Sequence, residues 1–294
     1  MWDYLQMVDK PLEQSMYHWL CEFLGVLFIC VIVQAKQTDA SSDAISKGFY
    51  LACSAGLVVG VAHYNFPTNQ FNPWLVIHKF VYELCHGQMS FTQTIISLFH
   101  AAWLITIGIL ASAVATLITK QRTGDWNRTG LPVTDPNVSD HSIMFDQFIG
   151  SFIFAMVYHW QMLRTEECEQ HRKAALKAIS SRPTNNNDLA QQDKEKQRKL
   201  TNAHQLQRHL DNTVHAVAIG VGFWLAVSYS FSVSGGNINI YTSAVPSWVS
   251  GEAHGIAQNV YGQMLGTAAS SVFILIACLF RKKFKFAEAT TSAH

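Results

Sequence analysis

The feature that most constrains this chain is the regular alternation of long apolar runs with short polar connectors. Runs of about 20 apolar residues match the ~30 Å of hydrocarbon that a membrane helix must cross. Inside lipid each such run has to satisfy its own backbone N–H and C=O groups, which a helix does and an isolated strand does not. Spans are predicted at 18–35, 44–64, 93–118, 143–163, 213–233 and 256–280. Around them the chain divides into an interfacial lead-in (1–17, with Trp2, Tyr4 and Tyr17), a first half (18–118), a connector (119–142), a second half (143–280) and a basic tail (281–294). The second half is interrupted by a polar insert at 164–212, read as a solvated helical hairpin. The expectation is an all-α, multi-pass integral membrane protein whose first partner is the lipid bilayer.

Charge sets the orientation and removes some function classes. Lys and Arg concentrate in the insert and in Arg281, Lys282, Lys283 and Lys285, which end the last span. The excess of cations on one side predicts that both termini and the insert face the cytoplasm or matrix. The formal charge of +1 by itself says nothing about nucleic acid, and without a basic stripe interleaved with aromatics no nucleic-acid partner is expected. Four of the six cysteines lie inside apolar runs, which does not fit a secreted disulfide framework. Asp3, Asp9 and Glu13 in the lead-in fit neither a signal peptide nor a transit peptide. Neither a nucleophile–base pair nor a phosphate loop is present, so no enzyme is predicted, and no cofactor.

Two stretches break the pattern of full spans. Gln70-Phe71-Asn72-Pro73-Trp74 precedes an apolar run too short to cross, and Asn237-Ile238-Asn239-Ile240-Tyr241 is its weaker echo. Asn before Pro starts a helix, with Asn capping free N–H groups and Pro fitting the first turn. Between spans this predicts a broken helix whose positive end points into the bilayer. Other segments repeat in the same order. Glu22-Phe23-Leu24-Gly25 is echoed by Gln147-Phe148-Ile149-Gly150, and Ala55-Gly56-Leu57 by Ala218-Ile219-Gly220. A duplicated unit of three spans and a half-helix places the two copies in opposite orientations, with their half-helices meeting near the midplane.

These residues resemble the aquaporin, or major intrinsic protein, family over nearly the whole chain except the insert. Glu22 through Gly25 is similar to the family's Glu-Phe-Leu-Gly in span one, and Gln147 through Phe152 to its counterpart in span four. Gln70-Phe71-Asn72-Pro73 resembles the first Asn-Pro-Ala box, and Ser234 through Asn239 the run into the second, with Pro246 just beyond it. The resemblance implies six transmembrane helices plus two half-helices in an inverted repeat, with Asn72 and Asn239 capping the half-helices at the pore. It implies filter positions at Val227, Gly236, Thr242 and either Ala52 or Ala55. It also implies that Glu22, and Gln147 by equivalence, hold half-helix backbone in place. The boxes depart from the pattern: Trp74 stands for Ala, Ile240 and Tyr241 for Pro and Ala, and Thr242 for the filter Arg. Large rings at Trp74 and Tyr241 predict overpacking that shifts the half-helices or presses into the pore, while small filter residues predict a wider or apolar constriction.

Other polar residues read more plainly. Asp146 is expected at the interface in water. His63, His100 and His159 are expected to be scattered, hydrogen-bonded structural groups rather than a metal site. Glu83-Leu84-Cys85-His86 has di-iron spacing but lacks the second motif and carboxylates such a site needs. Asn127 and Asn137 begin glycosylation sequons in the connector.

Two functions follow from the degraded boxes. The favoured reading is an accessory or structural subunit of a larger membrane complex, in the mitochondrial inner membrane or another internal membrane. The alternative is a passive channel for water or small neutral solutes such as glycerol, as a homo-tetramer, with the plasma membrane as an alternative location. Proton-coupled transport through Glu22 and Asp146 is the third and weakest.

Overall fold

The computed structural model describes residues 12–37, 44–67, 69–86, 90–124, 138–180, 187–251 and 256–291. Over these residues it is all-helical, with eight helices: α1 (Leu12–Gln37), α2 (Ala44–Asn65), α3 (Pro73–His86), α4 (Phe91–Thr123), α5 (Asp140–Ser180), α6 (Asn187–Ser234), α7 (Ala244–Ser250) and α8 (Ile256–Thr291).

Four helices have segments long and apolar enough to cross a membrane: Ser15–Ala35 in α1, Phe91–Thr123 (the whole of α4), His209–Ser234 in α6 and Ile256–Ala277 in α8. The runs predicted at 44–64 and 143–163 are helical within α2 and α5 but are not among these four segments. Polar side chains interrupt both helices: His63 and Asn65 in α2, and Asp146, Gln147 and His159 in α5. Most of these groups are buried against protein rather than facing the surroundings.

Several predicted boundaries move. The basic cluster after 280 ends the apolar span but not the helix, because α8 runs on to Thr291. The insert is not set off at 164 and 212, since α5 and α6 continue through those positions without a break. At 1.5 Å per residue, the 41 residues of α5 and 48 of α6 extend about 62 and 72 Å, roughly twice the hydrocarbon thickness. The lead-in is partly helical, with α1 beginning at Leu12. The sequon residues Asn127 and Asn137 lie outside the described residues.

Close approach between helices is carried by small residues, as expected where lipid gives no hydrophobic drive for helix association. A Cβ added at Gly56 of α2 would lie 2.7 Å from the Gly220 carbonyl oxygen of α6, and the reverse contact is the same. A Cβ at Gly262 of α8 would come within 2.7 Å of Gln147 Cβ on α5. Polar bonds fasten α1 to α4: Gln34 donates to Thr116 Oγ1 (3.2 Å) and accepts from Thr119 Oγ1 (3.2 Å), all three buried.

The packing partners form a regular set. Helix α1 packs on α2 and α4, as α5 packs on α6 and α8; α2 packs on α6. The short helix α3 packs on α4 and α8, as α7 packs on α8 and α4. Exchanging α1–α4 with α5–α8 leaves this set unchanged.

Candidate functional site

The two broken elements meet in the buried centre of the bundle, and each begins in the same way. The Asn72 side-chain oxygen accepts from Trp74 N (3.0 Å), and that of Asn239 accepts from Tyr241 N (3.1 Å). Asn72 thereby satisfies one orphan donor at the start of α3, and Asn239 does the same for a donor in the turns that precede α7. Where Pro73 follows, α3 begins at once. After Asn239 there is no Pro in the first position; the chain makes turns through Thr242 and Ser243, and α7 begins only at Ala244 and lasts seven residues. The second half-helix is therefore shorter than the sequence echo implies.

A hydrogen bond joins the two elements directly. Asn239 Nδ2 donates to the Phe71 carbonyl at 2.7 Å. Phe71 itself adopts a left-handed backbone with φ 53°, uncommon for a bulky residue. Three features hold it there. Its N–H donates to a Glu22 carboxyl oxygen (3.1 Å), its carbonyl takes the Asn239 bond, and its ring occupies the space that a Gly25 side chain would fill. Glu22 is fully buried, and its other oxygen accepts from Asn69 Nδ2 at 2.8 Å.

In the second half the equivalent support is built from amides. Gln263 of α8 donates to Gln147 Oε1 (2.8 Å) and to the Asn237 carbonyl (2.9 Å). Gln147 Nε2 donates to Ser234 Oγ (2.6 Å), which donates to Asp146 (2.6 Å). Ile238 occupies the space beside Gly150, as Phe71 does beside Gly25. Consecutive glycines at 235 and 236, with φ 70° and 73°, reverse the chain between α6 and this stretch. Sequence reasoning placed Asp146 in water. It is instead 5% exposed and accepts from Ser234 Oγ on α6. The sequence assigns no supporting role to Gln263, Ser234 or Asn69, because single polar residues in apolar or loop segments carry no spacing signal.

The Tyr241 side chain is fully buried. Its ring enters a niche over Gly108 of α4, its hydroxyl lies 3.5 Å from the Ile105 carbonyl, and its own carbonyl accepts from Cys30 Sγ (3.3 Å) and from Ser112 Oγ. The missing side chain at position 108 makes room for the ring. Trp74 is partly buried, and its indole N–H has no hydrogen-bond partner among the described residues.

The positions expected at the filter are closely packed. Ala52 and Ala55 are 0% exposed, Val227 and Thr242 1%, and Gly236 is buried. A Gly236 Cβ would lie 2.9 Å from Val227 Cγ1, and Thr242 Oγ1 turns back to donate to the Asn239 carbonyl (3.0 Å). Small residues here let neighbouring elements close on one another rather than widening a constriction. Ile240 is partly buried and packs against the same cluster.

His63, His100 and His159 sit on three different helices, each with its own partners, and two of them are hydrogen-bonded. His63 packs edge-on against Phe71 (ring centres 5.1 Å apart), near Tyr158 and His215, with neither nitrogen bonded among the described residues. His100 accepts from Trp19 Nε1 at 3.1 Å. His159 lies against His78 of α3, and its Nδ1 bonds Ser270 Oγ at 3.0 Å.

No protein-family model matches the chain, and no curated protein matches it significantly.

Proposed function

We propose that the chain is an aquaporin-like integral membrane protein, an inverted repeat of six membrane-crossing helices and two half-helices, that serves as a structural subunit of a larger membrane assembly. The observation that carries this reading is the burial of Ala52, Ala55, Val227 and Thr242. A water-conducting filter needs side chains that water can touch, and these are sealed by their neighbours. The amide of Asn239, which a pore would present to passing solute, is bonded to the Phe71 carbonyl.

Two further observations support the repeat and the partnership. The set of helix contacts is unchanged on exchanging the two halves, and Gly25 with Phe71 has the same relation as Gly150 with Ile238. Helices α5 and α6 outrun the bilayer by some 30–40 Å, from their lengths at 1.5 Å per residue. Rigid extensions of that reach suit attachment to neighbouring subunits, and an energy-transducing membrane such as the mitochondrial inner membrane suits such an assembly. The second reading, a passive channel for water or a small neutral solute, draws on the paired Asn72 and Asn239 caps.

Osmotic shrinkage of liposomes separates the two. Purified protein reconstituted into vesicles is expected to leave water and glycerol permeability at the level of protein-free lipid. A protein-dependent rise in either permeability contradicts the closed filter and favours the channel.

A further inference from the structure

Where α3, α5 and α8 meet, His78 and His159 bring their ring centres to 3.8 Å with planes tilted by 42°. Each ring is held from behind by one of two consecutive serines on α8: His159 Nδ1 bonds Ser270 Oγ (3.0 Å), and His78 Nδ1 bonds Ser271 Oγ. The Ser271 hydroxyl already donates its one hydrogen to the Thr267 carbonyl (2.9 Å). It must therefore accept from His78, so the proton of that ring sits on Nδ1 and Nε2 carries a bare lone pair. His159 is fully buried, and its Nε2 has no hydrogen-bond partner among the described residues. A buried imidazole nitrogen without a partner is costly, and the adjacent, partly buried His78 ring carries a second nitrogen lone pair, so that one ligand could serve both rings.

We propose that His78 and His159 form a two-imidazole clip for a late first-row divalent metal ion, with water completing the coordination. The parts correspond to what metal-binding histidines need: neutral rings, one nitrogen free, and the other fixed by a hydrogen bond that sets tautomer and orientation. Metal–nitrogen bonds run about 2.0–2.1 Å, so rings this close occupy neighbouring coordination positions near a right angle. That favours the square or octahedral preference of Cu2+ or Ni2+ over tetrahedral zinc. His78 is only partly buried, which leaves a route for the ion and its waters. Because His78 lies on the half-helix that Asn72 starts, the bound ion ties that element to α5.

The test is a Cu2+ titration of tag-free protein in detergent, followed by electron paramagnetic resonance. The expected result is one site per chain with the splitting pattern of two imidazole nitrogens. That site is expected to be lost in His78→Gln and in His159→Gln, and kept in His209→Gln, a control outside the clip. Ser271→Ala, which leaves both rings in place, is expected to weaken binding by about 10-fold or more. Should a His variant fail to fold, the nitrogen count of the unaltered protein and the Ser271→Ala shift decide. A spectrum lacking two nitrogens, or binding unchanged in both folded His variants, overturns the clip.

Discussion

Gly108→Ala tests how the bundle accommodates a tyrosine at the centre of its second half-element. A Cβ at position 108 would lie 2.7 Å from Tyr241 Cε2 and closer still to the ring's hydroxyl end. Tyr241 has little freedom to retreat. It is 0% exposed, and its carbonyl is bonded by both Cys30 and Ser112. Forcing a methyl into a packed site of this kind costs about 1–3 kcal/mol, partly offset by up to about 1 kcal/mol from the better helix propensity of Ala. The substitution is therefore expected to destabilise by up to about 2 kcal/mol. In a Tyr241→Ala background, itself destabilised by about 3–5 kcal/mol as for other aromatic truncations, the niche is empty. The same Gly108→Ala change then keeps only its favourable part, and its sign reverses. The coupling between the two positions is expected at about 1–3 kcal/mol, in the range of contacting pairs. Unfolding of the four proteins in mixed micelles containing sodium dodecyl sulfate, followed by tryptophan fluorescence, measures it. Additive effects, within about 0.5 kcal/mol, would refute the argument that Gly108 exists to seat this ring.

Other substitutions test the supports of the two half-elements. Glu22→Ala leaves Phe71 N–H without its acceptor and takes from Asn69 Nδ2 one of its two, the other being the His18 carbonyl, at about 1–3 kcal/mol for an unsatisfied buried donor; expression and melting temperature should both fall, and a fully stable variant would show that the carboxyl is not a support. Asn239→Ala removes the side-chain bonds to Tyr241 N and to the Phe71 carbonyl, each worth about 0.5–1.5 kcal/mol, so its melting temperature should fall below that of an Asn65→Ala control, whose side chain is exposed. Thr242→Arg should leave vesicle water permeability at the bare-lipid level, because Ala52, Ala55 and Val227 remain sealed; rapid shrinkage in that variant would mean that only the filter cation is missing.

Much of the helix pattern is legible in the sequence because apolar length and Asn-Pro starts are local signals. The broken helix at Pro73 begins where Asn72 places it, since both residues act within one turn. The second break is harder to read. Without Pro after Asn239, the chain takes a run of turns before α7, held by tertiary contacts with Phe71, Cys30, Ser112 and Gln263. Glu22 is visible as a charge inside an apolar run, but its partners at 69 and 71 are not. Asp146 reads as interfacial because its neighbours in sequence are polar, whereas its burial depends on Ser234, 88 residues away. The niche for Tyr241 depends on a glycine in another helix, a distance in sequence that no periodicity spans. The paired imidazoles of His78 and His159 are likewise a product of the fold, from residues 81 positions apart.

The most direct test of the structural-subunit reading is the native particle itself. The protein extracted from its own membrane in mild detergent can be resolved on a native gel, and the band containing it analysed by mass spectrometry. Comigration with a fixed set of other membrane subunits, at a mass far above that of a few 32.9 kDa chains, is the predicted result. A particle of one to four copies of this chain and nothing else would contradict it.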